Sequence, residues 1–316
     1  MMGKTPLVTV LMSVYNGELY LREAVESILD QSFKDFEFLI VDDGSTDGTR
    51  EILEHYRRHP KIRVVFNERN VGLTRSLNIG LKLARGKYIA RMDADDIAYP
   101  DRLECEVGKI EEDQLICVVS SWFDTVGGDT GFYSLVRKIN TPEEIFYSLF
   151  WRNCIAHPTV LFSKSRVLSV GGYDERYRSS QDYDLWVRLS RMCKMVKIQK
   201  ALLVRRVHSD MISRVDGTQR SYANEIFIKN IESFLPEEED ISFLLRLRDN
   251  QLGLFELPKG LKMIRAINAG IMKSQPFWLD REKVYECGRE KMRDLVERSI
   301  RCFGKGVKVF RGRRKR

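Results

Sequence analysis

The strongest constraint on this chain is the alternation of strand and helix signals through its first hundred residues. LVTVLMSV (7–14), FEFLIVDDG (36–44), IRVVF (62–66) and KYIARMD (87–93) are short, nearly unbroken apolar runs that read as buried strands. Between them apolar residues recur at helical spacing. LYLREAVESILDQS (19–32) sets Leu21, Ala24, Val25, Ile28 and Leu29 on one face, and Thr49 to Tyr56 reads as a second helix. VGLTRSLNIGLKLARG (71–86) reads as a third, closed by Gly86. Buried strands joined by helical crossovers imply an α/β fold, a mostly parallel sheet flanked by helices on both faces.

Beyond Pro100 the pattern changes. Residues 101–120 predict a helix and then the strand CVVSSWF, 141–152 a helix, HPTVLF (157–162) a short strand and YDLWVRLSRM (183–192) a helix. After about residue 215 the signal is helical throughout, over 219–234, 237–254, 258–273 and 280–303. No internal repeat or low-complexity linker interrupts it. The chain divides into a domain at 1–215, with halves 1–98 and 99–215, and a helical extension at 216–316.

Charge and cysteine usage narrow the class. The net charge is +8, but residues 305–316 (KGVKVFRGRRKR) carry seven basic residues and no acidic one, so the rest sums to about +1. A near-neutral body with a basic tail implies a local electrostatic contact, not specific nucleic-acid recognition. No apolar run approaches the ~20 residues of a membrane-spanning helix. The opening MMGKTPLVTVLMSVYNG has no small-residue cleavage site and reads as a first strand, not a leader. Six cysteines at 105, 117, 154, 193, 287 and 302 form neither C-x-x-C nor a zinc spacing, and are expected as buried free thiols in a reducing compartment.

In open parallel sheets, ligands bind beyond the carboxyl ends of the strands. Three predicted strands end there in polar clusters: Ser13-Val14-Tyr15-Asn16, Asp42-Asp43-Gly44-Ser45 and Asp93-Ala94-Asp95-Asp96. In extended chain Asp93 and Asp95 share a face, and close carboxylates repel unless a cation neutralises them. Mg²⁺ takes one or two carboxylates together with substrate phosphates; the competing reading is a helix N-cap. A carboxylate such as Asp43 can accept a ring N–H, and Tyr15 offers a flat surface beside it. DDGSTDG (42–48) also reads as a plain Asx turn. No G-x-G-x-x-G or G-x-x-x-x-G-K-[ST] motif is present, which counts against a dehydrogenase or an ordinary ATPase.

These segments in series resemble the family-2 glycosyltransferases of the GT-A fold. The resemblance runs over about residues 6–213, through FEFLIVDDGSTDGT, the stretch ending in RMDADDIAYPDRL, HPTVLF, GGYDE, QDYDLWVRL and RVHSDMIS. It implies that 1–98 is a nucleotide-sugar half and 99–215 an acceptor half. It implies that Ser13 and Tyr15 border the base, Asp43 binds a uracil or thymine ring, Asp93 lies near ribose and metal, and Asp95 binds Mn²⁺ or Mg²⁺. Asp182 matches the catalytic base, although Gln181 stands where a glutamate is usual; Asp184 is the fallback. His208 matches a position near the metal and diphosphate, and its structural alternative stays open. Trp186 and Asp184 are expected to pack, His157 to be structural, and His55 and His59 to be solvated. Arg75 is read either as a diphosphate contact or as a solvated helix residue.

The expected reaction is inverting transfer from a nucleoside-diphosphate sugar, UDP-linked by preference, to a glycan or lipid-linked hydroxyl. One carboxylate base serves it, because a metal-stabilised diphosphate needs no general acid, whereas a glycosidase needs two flanking carboxyl groups. A nucleotidyltransferase and an inactive sugar-binding scaffold are the competing readings. The expected setting is the cytoplasm, with the tail on an anionic membrane surface in surface-polysaccharide synthesis. REKVYECGREKMRDLVERSIRCF (281–303) carries an apolar stripe from Val284 to Phe303 expected to pack on the body.

Overall fold

A computed structural model describes residues 5–127, 133–134, 140–208, 218–235 and 240–313, with the backbone alone at 133–134 and 302–313. The first half alternates as the sequence predicts: β1 (Val8–Val14), α1 (Leu21–Leu29), β2 (Phe36–Asp42), α2 (Thr49–Tyr56), β3 (Ile62–Phe66), α3 (Leu73–Leu83) and β4 (Tyr88–Met92). All seven residues of β1 and of β2 are buried. Strands enclosed on both faces have no use for polar alternation, which is why they read as apolar runs. At the α3–β4 turn, a Cβ on Gly86 would collide with the Thr9 backbone.

The second half comprises β5 (Ile97–Ala98), α4 (Arg102–Glu111), β6 (Ile116–Gly127), β7 (Tyr133–Ser134), α5 (Pro142–Leu149), β8 (Val160–Ser163), α6 (Lys164–Ser169), α7 (Gln181–Ser190) and β9 (Lys194–Val207). Among the described residues the sheet has the order β3-β2-β1-β4-β8-β6-β9-β5, with β7 on β6. β1 to β4 are mutually parallel, β8 is antiparallel to both its neighbours, β6 and β9 run parallel, and β5 is antiparallel to β9. This is the expected mostly parallel sheet, with a mixed half that the sequence did not reveal. HPTVLF is a strand only from Val160, because His157–Thr159 form a 3₁₀ turn.

Two apolar layers sandwich the sheet. One joins α1, α2 and α4 to its first face; the other packs α3, α5 and α7 on the opposite face around the fully buried Trp186. Packing is therefore the role of Trp186, as expected. A third apolar cluster lies outside the sheet. It joins Phe146, Phe150 and Trp151 to α8 (Gln219–Ile231), α9 (Ile241–Arg248), α10 (Leu257–Ser274) and α11 (Arg281–Arg313). Val284 and Leu295 are buried in it, with Cys287 and Met292 packed against it, so that part of the predicted stripe covers the body; Ile300 is exposed. α5 opens with a capping box between Thr141 and Glu144, a feature worth about 1 kcal/mol. No helix among the described residues is long and apolar enough to cross a membrane. The expected domain boundary at 215 and the side chain of Phe303 lie outside the described residues.

The cysteine expectation needs correction. Cys117 and Cys193 pair as a disulfide, with Cα atoms 5.7 Å apart. They lie 76 residues apart in sequence, so no local spacing announces them; adjacent β6 and β9 bring them together. Cys154 is buried as expected, whereas Cys105 and Cys287 are half-buried free thiols; the side chain of Cys302 lies outside the described residues.

Candidate active site at the carboxyl ends of the strands

β1 and β2 end side by side, since Val14 pairs with Asp42. The loops that leave them are stitched together. Asn16 N–H donates to Ser45 Oγ at 2.9 Å, Thr46 N–H to Asn16 Oδ1 at 2.8 Å, and Gly17 N–H to Thr49 Oγ1 at 2.8 Å. Asn16 and Gly44 adopt left-handed φ of 51° and 73°, which turns both chains out of the sheet. Ser13 is buried at the strand end, and Tyr15 beside it is 48% exposed. Asp43 is buried, and its carboxylate accepts from Asn67 Nδ2, Val71 N–H and Gly72 N–H, each at 2.9 Å. Those bonds fix the 67–72 segment and use three of the roughly four lone-pair positions of a carboxylate.

The MDADD segment is a turn, not extended chain, so the pleat argument for Asp93 and Asp95 does not hold. The turn brings three carboxylates together instead of two. Asp93, Asp95 and Asp96 each offer an oxygen, all within 4.8 Å of one another. Asp93 pairs with the buried guanidinium of Arg91. Asp95 Oδ2 lies 2.9 Å from His208 Nε2. Asp96 accepts from Arg206 N–H at 2.9 Å, while its second oxygen is buried with no hydrogen-bond partner among the described residues. Burial, then the Asp93 charge, raises the Asp95 carboxyl above its ordinary value against the pull of His208; burial, Asp93 and Asp95 push Asp96 well above. His208 Nδ1 is likewise buried without a partner among the described residues. Oxygen donors in excess of local positive charge, with an imidazole beside them, fit a hard divalent ion such as Mn²⁺ or Mg²⁺.

Asp182 sits in the first turn of α7, where the helix N-terminus favours an anion. Its two oxygens accept from Asn153 Nδ2 and Tyr183 N–H, both at 2.8 Å and both neutral donors. Burial raises its carboxyl above the ordinary value, while Asn153, Tyr183 and the charge of Arg91 pull it down. Arg91 therefore acts on both Asp93 and Asp182. Asp184 is different. Arg188 holds one of its oxygens with two N–H groups, at 2.8 and 2.6 Å, and also donates to the carbonyls of Val170 and Gly172. That ties Asp184 to the 170–172 turn and leaves Asp182 as the carboxylate without a cation clamp. Gln181 is buried, with its carbonyl oxygen unpartnered among the described residues.

The remaining candidates have structural positions. His157 is buried against Tyr173, Nε2 to Oη 2.8 Å, and burial pushes its imidazole well below the ordinary value, so it is neutral. His55 is exposed and His59 half-buried. Arg75 pairs with Glu175 at 3.2 Å. A cavity of about 450 Å³ opens between α3 and the 168–175 turn, but none of Ser13, Tyr15, Asp43, Asp93, Asp95, Asp182 or His208 lines it. Sequence reasoning missed Arg91, Asn153, Asp96 as a member of the cluster, and Arg206. Asp96 was legible as the third acid of the run and Arg91 stands only two residues before Asp93; Asn153 and Arg206 meet the site only through tertiary contact.

Comparison with known proteins assigns the family and the fold. The model of glycosyl transferase family 2 matches residues 9–171. An uncharacterized glycosyltransferase of Methanocaldococcus jannaschii, MJ1057, is 40% identical over 192 residues, 58% of this chain and 64% of the relative. The Escherichia coli UDP-Gal:alpha-D-GlcNAc-diphosphoundecaprenol beta-1,3-galactosyltransferase is 30% identical over 69% of this chain and 80% of its own length. Among solved structures, S. aureus TarS 1-349 in complex with UDP-GlcNAc superposes with a TM-score of 0.63 at 19% identity, covering 95% of this chain and 92% of TarS. Mannosyltransferase PcManGT from Pyrobaculum calidifontis, in complex with GDP-Man and Mn²⁺, gives 0.56 at 17% identity over 94% and 87%. The chain belongs to glycosyl transferase family 2, has the GT-A fold and is a glycosyltransferase.

Proposed function

We propose that this enzyme is an inverting, divalent-metal-dependent transferase that moves a sugar from a nucleoside diphosphate, UDP by preference, to a hydroxyl acceptor. The observation that carries this reading is the carboxylate cluster of Asp93, Asp95 and Asp96 beside His208, with Asp182 across Arg91 and bonded only to neutral donors. Residues 1–98 hold the donor. Ser13 and Tyr15 border the base, the remaining acceptor position of Asp43 takes a ring N–H, and Asp93 lies toward the ribose. Asp95 and His208 hold Mn²⁺ or Mg²⁺, which when bound supplies positive charge to the departing diphosphate. Residues 99–215 orient the acceptor. Asp182 takes the proton of the acceptor hydroxyl as its oxygen bonds to the anomeric carbon from the face opposite the leaving group. A panel of sugar nucleotides, assayed for transfer with Mn²⁺, with Mg²⁺ and after exhaustive chelation, tests this. Asp95→Ala abolishes transfer and weakens nucleoside-diphosphate binding. Full turnover after metal removal overturns the mechanism.

The acceptor is a glycan or lipid-linked sugar in surface-polysaccharide synthesis, and the enzyme works in the cytoplasm against the inner membrane face. The support is the seven-fold basic run at 305–316 and the diphosphoundecaprenol in the name of the Escherichia coli relative. Basic residues near an anionic surface contribute about 1 kcal/mol each, enough together for reversible, salt-sensitive binding. Full-length protein co-sediments with anionic vesicles in low salt and releases in high salt; a chain ending at Gly304 binds far less. Equal binding by the two removes the membrane role.

A further inference from the structure

β9 carries the residue that organises the acidic turn. Its register with β5 pairs Ile97 with Val204 and Ala98 with Leu203. Just past that ladder, Arg206 meets Asp95 and Asp96 of the turn, and His208 meets Asp95. Arg206 grips the turn at several points. Its backbone N–H donates to Asp96 Oδ1 at 2.9 Å, its Nε to the Asp95 carbonyl oxygen at 3.0 Å, and a terminal nitrogen to Glu23 Oε2 at 2.7 Å. The guanidinium carbon lies 4.4 Å from the centroid of the Tyr20 ring, and that ring stands 5.1 Å from the His208 ring.

We propose that Arg206 is a positioning residue for the divalent-cation site: with Glu23 and Tyr20 it fixes the Asp95 and His208 side chains in the arrangement that receives the ion. The inference rests on the metal-dependent reading above. Three carboxylates on one short turn repel one another and spread the turn unless it is held. Arg206 holds the main chain at Asp95 and leaves the carboxylate oxygens of Asp95 to other partners. Its planar face stacks on Tyr20, whose ring supports the imidazole of His208. Only a guanidinium serves both contacts at once; an ammonium is a point charge without a face or a fork. Glu23 is 60% exposed, so its ion pair adds little stability. Its part is to set the angle of the guanidinium.

The test reads the ion directly. Mn²⁺ binding in the presence of UDP is followed by loss of the free-ion electron paramagnetic resonance signal, for wild type, Arg206→Gln, Arg206→Lys, Tyr20→Leu and Glu23→Gln. Arg206→Gln weakens Mn²⁺ about 10- to 100-fold, the scale seen when groups that orient metal ligands are lost. Arg206→Lys recovers little of this, and Tyr20→Leu and Glu23→Gln show smaller losses in the same direction. In transfer assays, the Mn²⁺ concentration for half-activation rises by a larger factor than kcat at saturating Mn²⁺ falls. A merely structural role lowers Tm and the active fraction while the folded protein keeps its Mn²⁺ affinity; that result overturns the proposal. Should Arg206→Gln fail to fold, unchanged affinity in both Tyr20→Leu and Glu23→Gln does the same. Wild type that binds no Mn²⁺ overturns the metal reading and this inference with it, whereas normal wild-type binding with unaltered variants overturns this inference alone.

Discussion

The two ends of one mixed sheet treat buried carboxylates in opposite ways. At the amino end, Glu37 is buried beside Thr9, its partner across the β1–β2 ladder. Its oxygens accept from Thr9 Oγ1 at 2.8 Å, Arg85 N–H and Nε at 2.7 Å each, and Arg63 at 2.9 Å. Burial alone would raise its carboxyl, but these donors hold it below the ordinary value. At the carboxyl end, burial dominates: Asp95, Asp96 and Asp182 are all raised. Charge that is fully bonded stabilises the fold; charge left short of partners is held ready for something absent from the chain itself. The difference separates residues kept for stability from residues kept for chemistry, and substitutions at the two ends should give effects of different kind and sign.

The largest effect is expected at Asp182. Asp182→Asn keeps shape and loses proton affinity, so kcat falls roughly 10²- to 10⁴-fold, the usual contribution of a general base. Tm falls by no more than one lost neutral hydrogen bond, since the amide oxygen keeps one of the two donors and no cation is stranded, and UDP affinity changes little. Because burial raises the wild-type carboxyl, kcat/KM drops as pH falls through a value above the ordinary carboxylate range, and this limb disappears in the variant. Asp184→Asn should reverse the pattern, lowering Tm through loss of the Arg188 clamp. Near-normal transfer by Asp182→Asn, measured at saturating donor, assigns the base elsewhere.

At the opposite end, Glu37→Gln should reduce stability by about 1.5–3 kcal/mol, the scale of a lost charged hydrogen bond. A fully buried pair would lose more; Arg63 and Arg85 are 36% and 56% exposed, so water takes up part of their charge. Glu37 has a lowered folded pKa, so its stabilisation is present above the unfolded value and vanishes as pH falls through the folded one. The wild-type–variant gap in urea unfolding should therefore close in acid. Transfer activity well below Tm should be unaltered; a large loss of kcat in folded Glu37→Gln breaks the division between the two ends.

Legibility followed the same physics. β1, β2 and β4 were readable because strands buried on both faces become apolar runs; the edge strand β3, only partly buried, was readable as a short apolar run between turns. β9 was not: KMVKIQKALLVRRV mixes buried Val196 and Leu203 with exposed Gln199 and Lys200, and its periodicity favours no single element. With β9 hidden, the Cys117–Cys193 pairing and the Arg206 contacts were hidden too, since the latter span 110 to 183 residues of sequence. Asp93 and Asp95 were legible as a local run, although a turn and not a pleat brings them together. Asp182 and Asp184 illustrate the limit on one helix. Two positions apart, they point about 200° from each other. The (i, i+4) neighbour Arg188 captures Asp184.

The smallest effect has the most informative sign. Asp96 is buried, one oxygen takes the Arg206 N–H, and the other has no partner among the described residues. Its folded pKa is raised well above the ordinary value, by burial first and by Asp93 and Asp95 next. For an acid raised in this way the folded state favours the proton. The associated stability is fully present below the unfolded pKa and is lost as pH rises toward the folded one. At neutral pH, without metal, wild type therefore carries a penalty that Asp96→Asn removes: the amide oxygen keeps the Arg206 bond, and a neutral unpartnered group costs less than a buried charge. Stability in EDTA at pH 7 should rise by roughly 0.5–2 kcal/mol, the range of single stabilising substitutions at functional positions. The gain should shrink as pH falls through the folded pKa and be lost below the unfolded value of about 3.9, where wild-type Asp96 is protonated in both states. Transfer should decline in the same variant, since the cluster loses one of its three charges. A variant less stable than wild type at pH 7 in EDTA places Asp96 with Glu37, as a carboxylate that the fold itself requires.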